Sequence, residues 1–123
     1  MTIKIKKKVV WITGGGTGIG KEIAKSFSDR NYIVVISGRR ISKLNEVKSY
    51  NPGSINSIKL DVSNHKECVK AVRLILKKFN SIDLIILNAA TYNPGPLDEL
   101  DQIKIKRIVD TNVIGPINCL SPA

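Results

Sequence analysis

The chain has 123 residues, enough for one domain with its own hydrophobic core. Apolar residues make up 42% and charged residues 24% of the chain, and no apolar run is long enough for a bilayer span or a signal peptide, so we expect a soluble globular protein. The formal net charge is +10, but the lysines are spread out, without interleaved aromatic residues, so an anionic cofactor is a better expected partner than nucleic acid.

Short apolar runs along the chain predict the strands. Residues 9–12, 33–36 and 84–87 are continuous β-branched and aliphatic runs, which indicate strands buried on both faces of a parallel sheet. Residues 57–61 instead alternate between apolar and polar side chains. We therefore expect this strand to lie nearer an edge of the sheet.

Helical periodicity separates these strands. The first helix has an apolar stripe at Ile19, Ile23, Ala24 and Phe27. The second is short, with Leu44 and Val47 on its apolar side. The third has a stripe at Val69, Val72, Leu76 and Phe79, with Asn64 and Glu67 as a capping pair, and a fourth begins near Asp101. The alternation predicts an α/β fold: a Rossmann-type, doubly wound parallel sheet with strand order 3-2-1-4.

The glycine-rich stretch T-G-G-G-T-G-I-G, residues 13–20, follows the first strand. The common dinucleotide fingerprint G-x-G-x-x-G fits it in no register, whereas G-x-x-x-G-x-G fits from Gly14 to Gly20. A P-loop pattern nearly fits from Gly15 to Lys21, but Glu22 stands where Ser or Thr would ligate Mg²⁺, which disfavours a phosphate-transferring NTPase. Glycines let backbone N–H groups approach phosphate at a helix N-terminus, so we predict a phosphate-binding loop.

The end of the second strand predicts the choice of cofactor. It reads Ser37-Gly38-Arg39-Arg40, without the Asp or Glu that bonds the ribose 2′-hydroxyl in NAD sites. A guanidinium binds a 2′-phosphate through charge-assisted bonds, and Arg39 is better placed for this than Arg40. NADP is therefore preferred to NAD, although a solvated charge pair at the helix start is the alternative interpretation.

Four motifs resemble those of the compact branch of the short-chain dehydrogenase/reductases. Residues 13–20 resemble its T-G-x-x-x-G-I-G signature, which implies cofactor contacts from Gly14, Gly16, Thr17, Gly18, Ile19 and Gly20. Asp61-Val62, at the end of the third strand, resembles the family's adenine-contacting Asp and implies cofactor contacts from both residues. Residues 87–90, L-N-A-A, are similar to its N-N-A-G, with Asn88, Ala89 and Ala90 at the cofactor, while Leu87 and Ala90 depart from the pattern. Asn112 matches its active-site helix asparagine. The spacing agrees over essentially the whole chain.

The residues themselves leave three of these roles open. Asp61 could equally cap the helix that follows it. Asn88 could simply tie the loop backbone to neighbouring strands. Asn112 lies on the apolar stripe of its helix, at heptad and four-residue spacing from Ile105 and Ile108, so we expect it to be buried. It would then bond a carbonyl at a helix irregularity or hold a water for proton relay.

The resemblance implies hydride transfer between NADP(H) and a carbonyl or alcohol substrate. The family uses a Tyr as acid/base, a Lys four residues later and a Ser, with the helix asparagine on the proton relay. None of the three tyrosines here has a lysine four residues on, and family members are roughly twice as long as this chain. Residues 1–123 are thus predicted to be the NADP-binding half, truncated after the helix following strand four and inactive alone. A non-catalytic nucleotide-binding module or truncated gene product is the alternative.

Partners and compartment follow from the same observations. The expected partner is a small-molecule carbonyl or alcohol, with neither nucleic acid nor membrane, and the full-length protein is expected to be a homo-oligomer. Cys68 and Cys119 form no C-x-x-C pair and no metal-ligand cluster, so we expect a reducing cytoplasm and no metal site.

Overall fold

A computed structural model of the protein describes residues 6–91 and 101–123. The strands are β1 (Val9–Thr13), β2 (Ile33–Gly38), β3 (Ile55–Lys59) and β4 (Leu84–Leu87). The helices are α1 (Gly18–Asp29), α2 (Ile41–Lys48), α3 (His65–Phe79), α4 (Gln102–Val109) and α5 (Gly115–Leu120), with a π-helical segment, Asp110–Ile114, between the last two.

The four strands form one parallel sheet in the order β3-β2-β1-β4. Trp11 at the centre of β1 pairs with Val35 on one side and with Ile85 on the other. The chain builds the sheet outward from β1 to β3 and then returns to the opposite side of β1 to form β4. This confirms the predicted Rossmann-type order and the edge position of β3. The reversal of strand order between β1 and β4 creates the topological switch point at which such sheets bind ligands.

Alternate residues of the central strands fill two cores, one on each face of the sheet. Val9, Trp11 and Val35 face α3 and α5, together with buried Cys68 and Cys119. The other face packs against α1 and α2 and buries Val10, Ile12, Ala24, Val34, Ile36, Leu44, Val47 and Ile55. Core positions on both faces explain why β1 and β2 read as continuous apolar runs.

Three details of the burial predicted for β4, α1 and α3 are wrong. Leu84 and Leu87 of β4 are 42% and 38% exposed, because β4 has β1 on one side only among the described residues. Ile19 is 74% exposed because it lies in the first turn of α1, at the mouth of a cavity rather than over the sheet. In α3, Leu76 is 40% exposed.

The buried stripe of α3 consists instead of Cys68, Ala71, Val72 and Ile75. The small Cys68 and Ala71 allow α3 to pack closely on the sheet, and this turns Leu76 toward solvent. The predicted capping is confirmed, since the Asn64 side chain accepts a hydrogen bond from the Glu67 N–H at 3.1 Å. Within residues 6–91 and 101–123, no helix has the length and apolar character needed to cross a bilayer.

Candidate functional site

A cavity of about 350 Å³ lies at the carboxyl ends of the strands, beside the glycine loop. Twelve of the thirteen residues predicted to contact a cofactor line it, and the exception, Gly20, lies beneath it. The residues lining the cavity are Gly14, Gly16, Thr17, Gly18, Ile19, Ser37, Gly38, Arg39, Arg40, Lys43, Leu44, Leu60, Asp61, Val62, Asn88, Ala89, Ala90 and Thr111. The fold therefore brings four separate sequence motifs to one concave surface.

Gly18 and Gly20 of the loop are required to be glycine for different reasons. Gly18 has a φ of +56°, in the left-handed region that L-residues rarely adopt, and a Cβ there would meet nothing within 4 Å. Gly20 is limited by space, since a Cβ would overlap the Gly14 carbonyl oxygen and approach Asn88 Nδ2 to 2.6 Å. The loop thus presents bare backbone to the cavity and packs tightly beneath it.

The two helices that begin at the cavity, α1 and α2, differ in capping from α3 and α4. Thr17 precedes α1 and Arg40 precedes α2; both line the cavity, and among the described residues neither makes a side-chain capping bond. By contrast, Asn64 caps α3 and Asp101 caps α4 with their side chains. The first-turn N–H groups of α1 and α2 therefore lack a side-chain acceptor within the described chain. Such groups, with the positive end of the helix dipole, favour an anion.

Thr13 joins the glycine loop to the segment after β4. Its Oγ1 accepts hydrogen bonds from the N–H groups of Asn88 and Ala89, both at 3.1 Å, and Thr13 is almost fully buried. The Asn88 side chain donates in turn to the Gly14 carbonyl oxygen at 3.0 Å. Asn88 is therefore the tie between loop and strands that its position suggested, and it also lines the cavity.

Asp61 lies at the cavity wall in a turn with Ser63. One carboxylate oxygen accepts from the Ser63 N–H at 3.0 Å and from its hydroxyl at 2.7 Å. Partial burial opposes ionisation, but these hydrogen bonds and the positive charges of Arg39 and Arg107 outweigh it and lower the pKa of Asp61. Capping of α3 by Asp61 is wrong, because Asn64 performs that function.

Positive charge dominates the cavity. In the part of the chain that the structure describes, its charged lining residues are the cations Arg39, Arg40 and Lys43 and the carboxylate of Asp61. Lys43 and Thr111 were not predicted from the sequence. The signal for Lys43 was its place in the first turn of the helix that follows Arg39 and Arg40.

Asn112 lies outside the cavity lining, next to Thr111. It is in the π-helical segment and is exposed, so the predicted burial is wrong, whereas the predicted helix irregularity is present. Its amide oxygen accepts from the Thr91 N–H and its amide nitrogen donates to the Thr91 carbonyl, both at 2.8 Å. The wider π turn brings Asn112 to the loop after β4 instead of to the core.

The parallel sheet, its switch point and the glycine-loop cavity define a protein of the Rossmann type. The family model described as short chain dehydrogenase matches residues 8–123, and the chain belongs to that family. The predicted family is thereby confirmed.

Individual relatives agree with this assignment. An uncharacterized oxidoreductase of Listeria monocytogenes is 32% identical in an alignment of 117 residues that covers 93% of this chain and 47% of the relative. The crystal structure of a short chain dehydrogenase from Bacillus anthracis superposes with a TM-score of 0.90 at 35% identity, over 94% of this chain and 49% of that one. ElxO with NADP bound superposes with a TM-score of 0.84 at 30% identity, over 94% and 48% of the two chains. The chain spans about half the length of the relatives it matches.

Proposed function

We propose that the protein is an NADP-dependent oxidoreductase that transfers hydride between NADP(H) and a carbonyl or alcohol substrate. Residues 1–123 supply the NADP-binding half of a single-domain enzyme. One observation carries this proposal: the carboxyl end of β2 offers Arg39 and Arg40 to the cavity, and no carboxylate occupies the ribose position. A carboxylate there would repel a 2′-phosphate, whereas a guanidinium binds it. The NADP bound by ElxO, a 30% identical protein, supports the same choice.

Different residues that line the cavity suit different chemical groups of NADP. When bound, NADP supplies a nicotinamide ring that accepts or releases hydride. The uncapped first turn of α1, at Gly18 and Ile19, would hold the pyrophosphate, because its N–H groups lack a side-chain acceptor in the described chain. Arg39 would hold the 2′-phosphate. Asp61, kept ionised by its lowered pKa, would accept from the adenine amino group through the oxygen that Ser63 leaves free.

We propose that Asn112 supports the reaction without contacting the cofactor. Its contacts with Thr91 hold the loop after β4 against the helix. An amide nitrogen carries two hydrogens, so one N–H remains after Thr91 is satisfied, and this N–H can hold a water on a proton relay. The group that delivers the proton to a carbonyl would come from outside these residues, since no tyrosine here has a lysine four residues on.

Three further proposals accompany the activity. The substrate is a small carbonyl or alcohol compound, and the whole protein is a homo-oligomer. The compartment is the cytoplasm, which is consistent with Cys68 and Cys119 as free, buried thiols.

A cofactor titration tests the proposal directly. The 123-residue chain is titrated with NADPH and NADH by the change in nicotinamide fluorescence, and with ATP and Mg²⁺ as the alternative ligand. Tighter binding of NADPH is expected; equal affinities, preference for NADH or selective Mg²⁺-ATP binding would contradict it. Sequencing the gene beyond the codon for Ala123 tests the catalytic part. An in-frame Tyr-x-x-x-Lys supports the enzyme, and its absence favours a non-catalytic nucleotide-binding module.

A further inference from the structure

Lys43 lies where the glycine loop meets the end of β2. It belongs to the first turn of α2 and lines the same cavity as Arg39 and Arg40. A Cβ added to Gly16 would lie 3.3 Å from the Cβ of Lys43, so the loop backbone rests directly against this turn. The backbone of Lys43 is therefore held between the expected positions of the pyrophosphate and of the adenine ribose.

The ammonium group of Lys43 is weakly engaged. Its ion pair within residues 6–91 and 101–123 is with Glu46, at 3.9 Å, and the two side chains are 42% and 62% exposed. Exposed pairs three residues apart on a helix contribute little, so a bound anion competes easily for this ammonium. The flexible lysine stem can swing toward the cavity without disturbing the core contacts of Leu44 and Val47.

We propose that Lys43 is a second specificity-determining cation that binds the 2′-phosphate of NADP together with Arg39. The inference rests on the proposed function, since it assumes a 2′-phosphorylated cofactor in this cavity. A phosphate monoester offers three acceptor oxygens and more than one negative charge, and a guanidinium fork engages two of those oxygens. The point charge of a lysine ammonium complements the third.

Two other roles for Lys43 give different results. If its ammonium bound the pyrophosphate, it would strengthen the binding of NADPH and NADH equally, because both carry that group. If it remained in solvent, it would affect neither cofactor. If removing the Lys43 ammonium weakens the binding of NADPH but not of NADH, the ammonium contacts the 2′-phosphate.

The test compares Lys43→Gln with Lys48→Gln in the 123-residue chain. Lys48 is in the last turn of the same helix and does not line the cavity, so the control removes the same charge without reaching the site. Affinities for NADPH and NADH are measured by fluorescence titration, and circular dichroism checks that each variant is folded. Lys43→Gln is expected to weaken NADPH binding about tenfold, with NADH unchanged, and Lys43→Arg is expected to restore most of the affinity.

Parallel measurements on Arg39→Gln separate the two proposals. If the unaltered chain does not prefer NADPH, the proposed cofactor is wrong and the inference is wrong with it. If Arg39→Gln abolishes the preference but Lys43→Gln keeps it, only the role of Lys43 is overturned. Equal weakening of both cofactors by Lys43→Gln, or equal effects of Lys43→Gln and Lys48→Gln, also overturns it.

Discussion

Asn112 binds both backbone polar groups of Thr91. The side-chain amide accepts from the Thr91 N–H and donates to the Thr91 carbonyl, each at 2.8 Å, which reproduces the pairing of a β-strand neighbour. Thr91 follows β4, and Asn112 lies in the π-helical segment between α4 and α5. The Asn112 side chain therefore connects the helical region to the loop that follows β4.

Replacing Asn112 should release this loop. Asn112→Ala removes both hydrogen bonds, and we expect a loss of about 1–2 kcal/mol in the free energy of unfolding, because the pair is exposed to water. Asn112→Asp keeps the acceptor for the Thr91 N–H but turns an acceptor toward its carbonyl, so it should recover only part of the loss. Urea unfolding measures stability, and hydrogen exchange at the Thr91 amide reports the local contact. Unchanged exchange in Asn112→Ala would show that the contact does not persist in solution.

Thr13 makes the second hydrogen-bonded connection to the segment after β4. We expect Thr13→Val to lower the free energy of unfolding more than Asn112→Ala does. Val keeps the shape of Thr but removes the acceptor of the Ala89 N–H and one of two acceptors of the Asn88 N–H, which also donates to the Ile86 carbonyl at 3.1 Å. Leaving one donor unpaired costs about 1–3 kcal/mol, and the Asn88 N–H is weakened as well, so we expect a loss of about 2–3 kcal/mol. Thr13→Ser retains the hydroxyl and is the matched control. Denaturant unfolding compares the two variants, and equal losses would mean that the methyl group matters rather than the hydrogen bonds.

Arg39→Asp should reverse the choice of cofactor. A carboxylate at this position repels a 2′-phosphate and accepts from a free 2′-hydroxyl, so NADPH binding should weaken by about 10- to 100-fold while NADH binding improves. The affinities come from fluorescence titration of the 123-residue chain. The reverse-charge control is Arg30→Asp, at the end of α1 and away from the cavity. An unchanged preference in Arg39→Asp would remove Arg39 from the 2′-phosphate site.

A purified polypeptide of these 123 residues should not oxidise NADPH with any ketone. Asn112 can order a water, but no Tyr-x-x-x-Lys pair is present to donate the proton. The assay follows NADPH absorbance with a panel of ketones and aldehydes. Binding of NADPH by the same preparation is the control that it is folded. Protein-dependent turnover above that of an Asn112→Ala, Arg39→Asp double variant would contradict this expectation.

The sequence predicted the fold well because its strongest signals are local. Continuous apolar runs such as residues 33–36 identify strands buried on both faces, and the glycine loop specifies the turn from β1 into α1. These signals also predicted that Arg39 and Asp61 lie at one edge of the sheet, since the carboxyl ends of parallel strands meet there.

The errors arose where tertiary packing decides the outcome. Cys68 and Ala71 are small and only weakly apolar, so the pattern of α3 alone favoured Leu76, which solvent in fact reaches. Asn112 was expected in the core because a regular α-helix would carry it there, and the π-helical segment shifts it outward. The place of Lys43 in the first turn after Arg39 and Arg40 was too weak a signal, because the packing of Gly16 against α2 is what brings Lys43 to the cavity.

The free side of β4 should make a polypeptide of these 123 residues self-associate. Among the described residues β4 pairs with β1 alone, and Leu84 and Leu87 are 42% and 38% exposed. An apolar edge with unpaired backbone groups is a template for strands of another chain. Ile114 and Ile117 are 40% and 57% exposed on the nearby helical region and add apolar surface. Burying one such side chain contributes about 1.5–3 kcal/mol, which the net charge of +10 opposes only in part at physiological salt.

A charge placed on that edge should reverse the association. Leu84→Lys puts an ammonium beside the free side of β4, a device that natural edge strands use against pairing, and should yield more monomer. Leu74→Lys makes the same substitution on the exposed side of α3, where Leu74 is 52% exposed, and should leave the association unchanged. Light scattering measures the size of each species, and denaturant unfolding measures cooperativity. If the unaltered polypeptide is a monodisperse monomer with one cooperative transition, β4 is protected by contacts other than strand pairing. If the two lysine substitutions have equal effects, the association is due to general hydrophobicity rather than to the edge of the sheet.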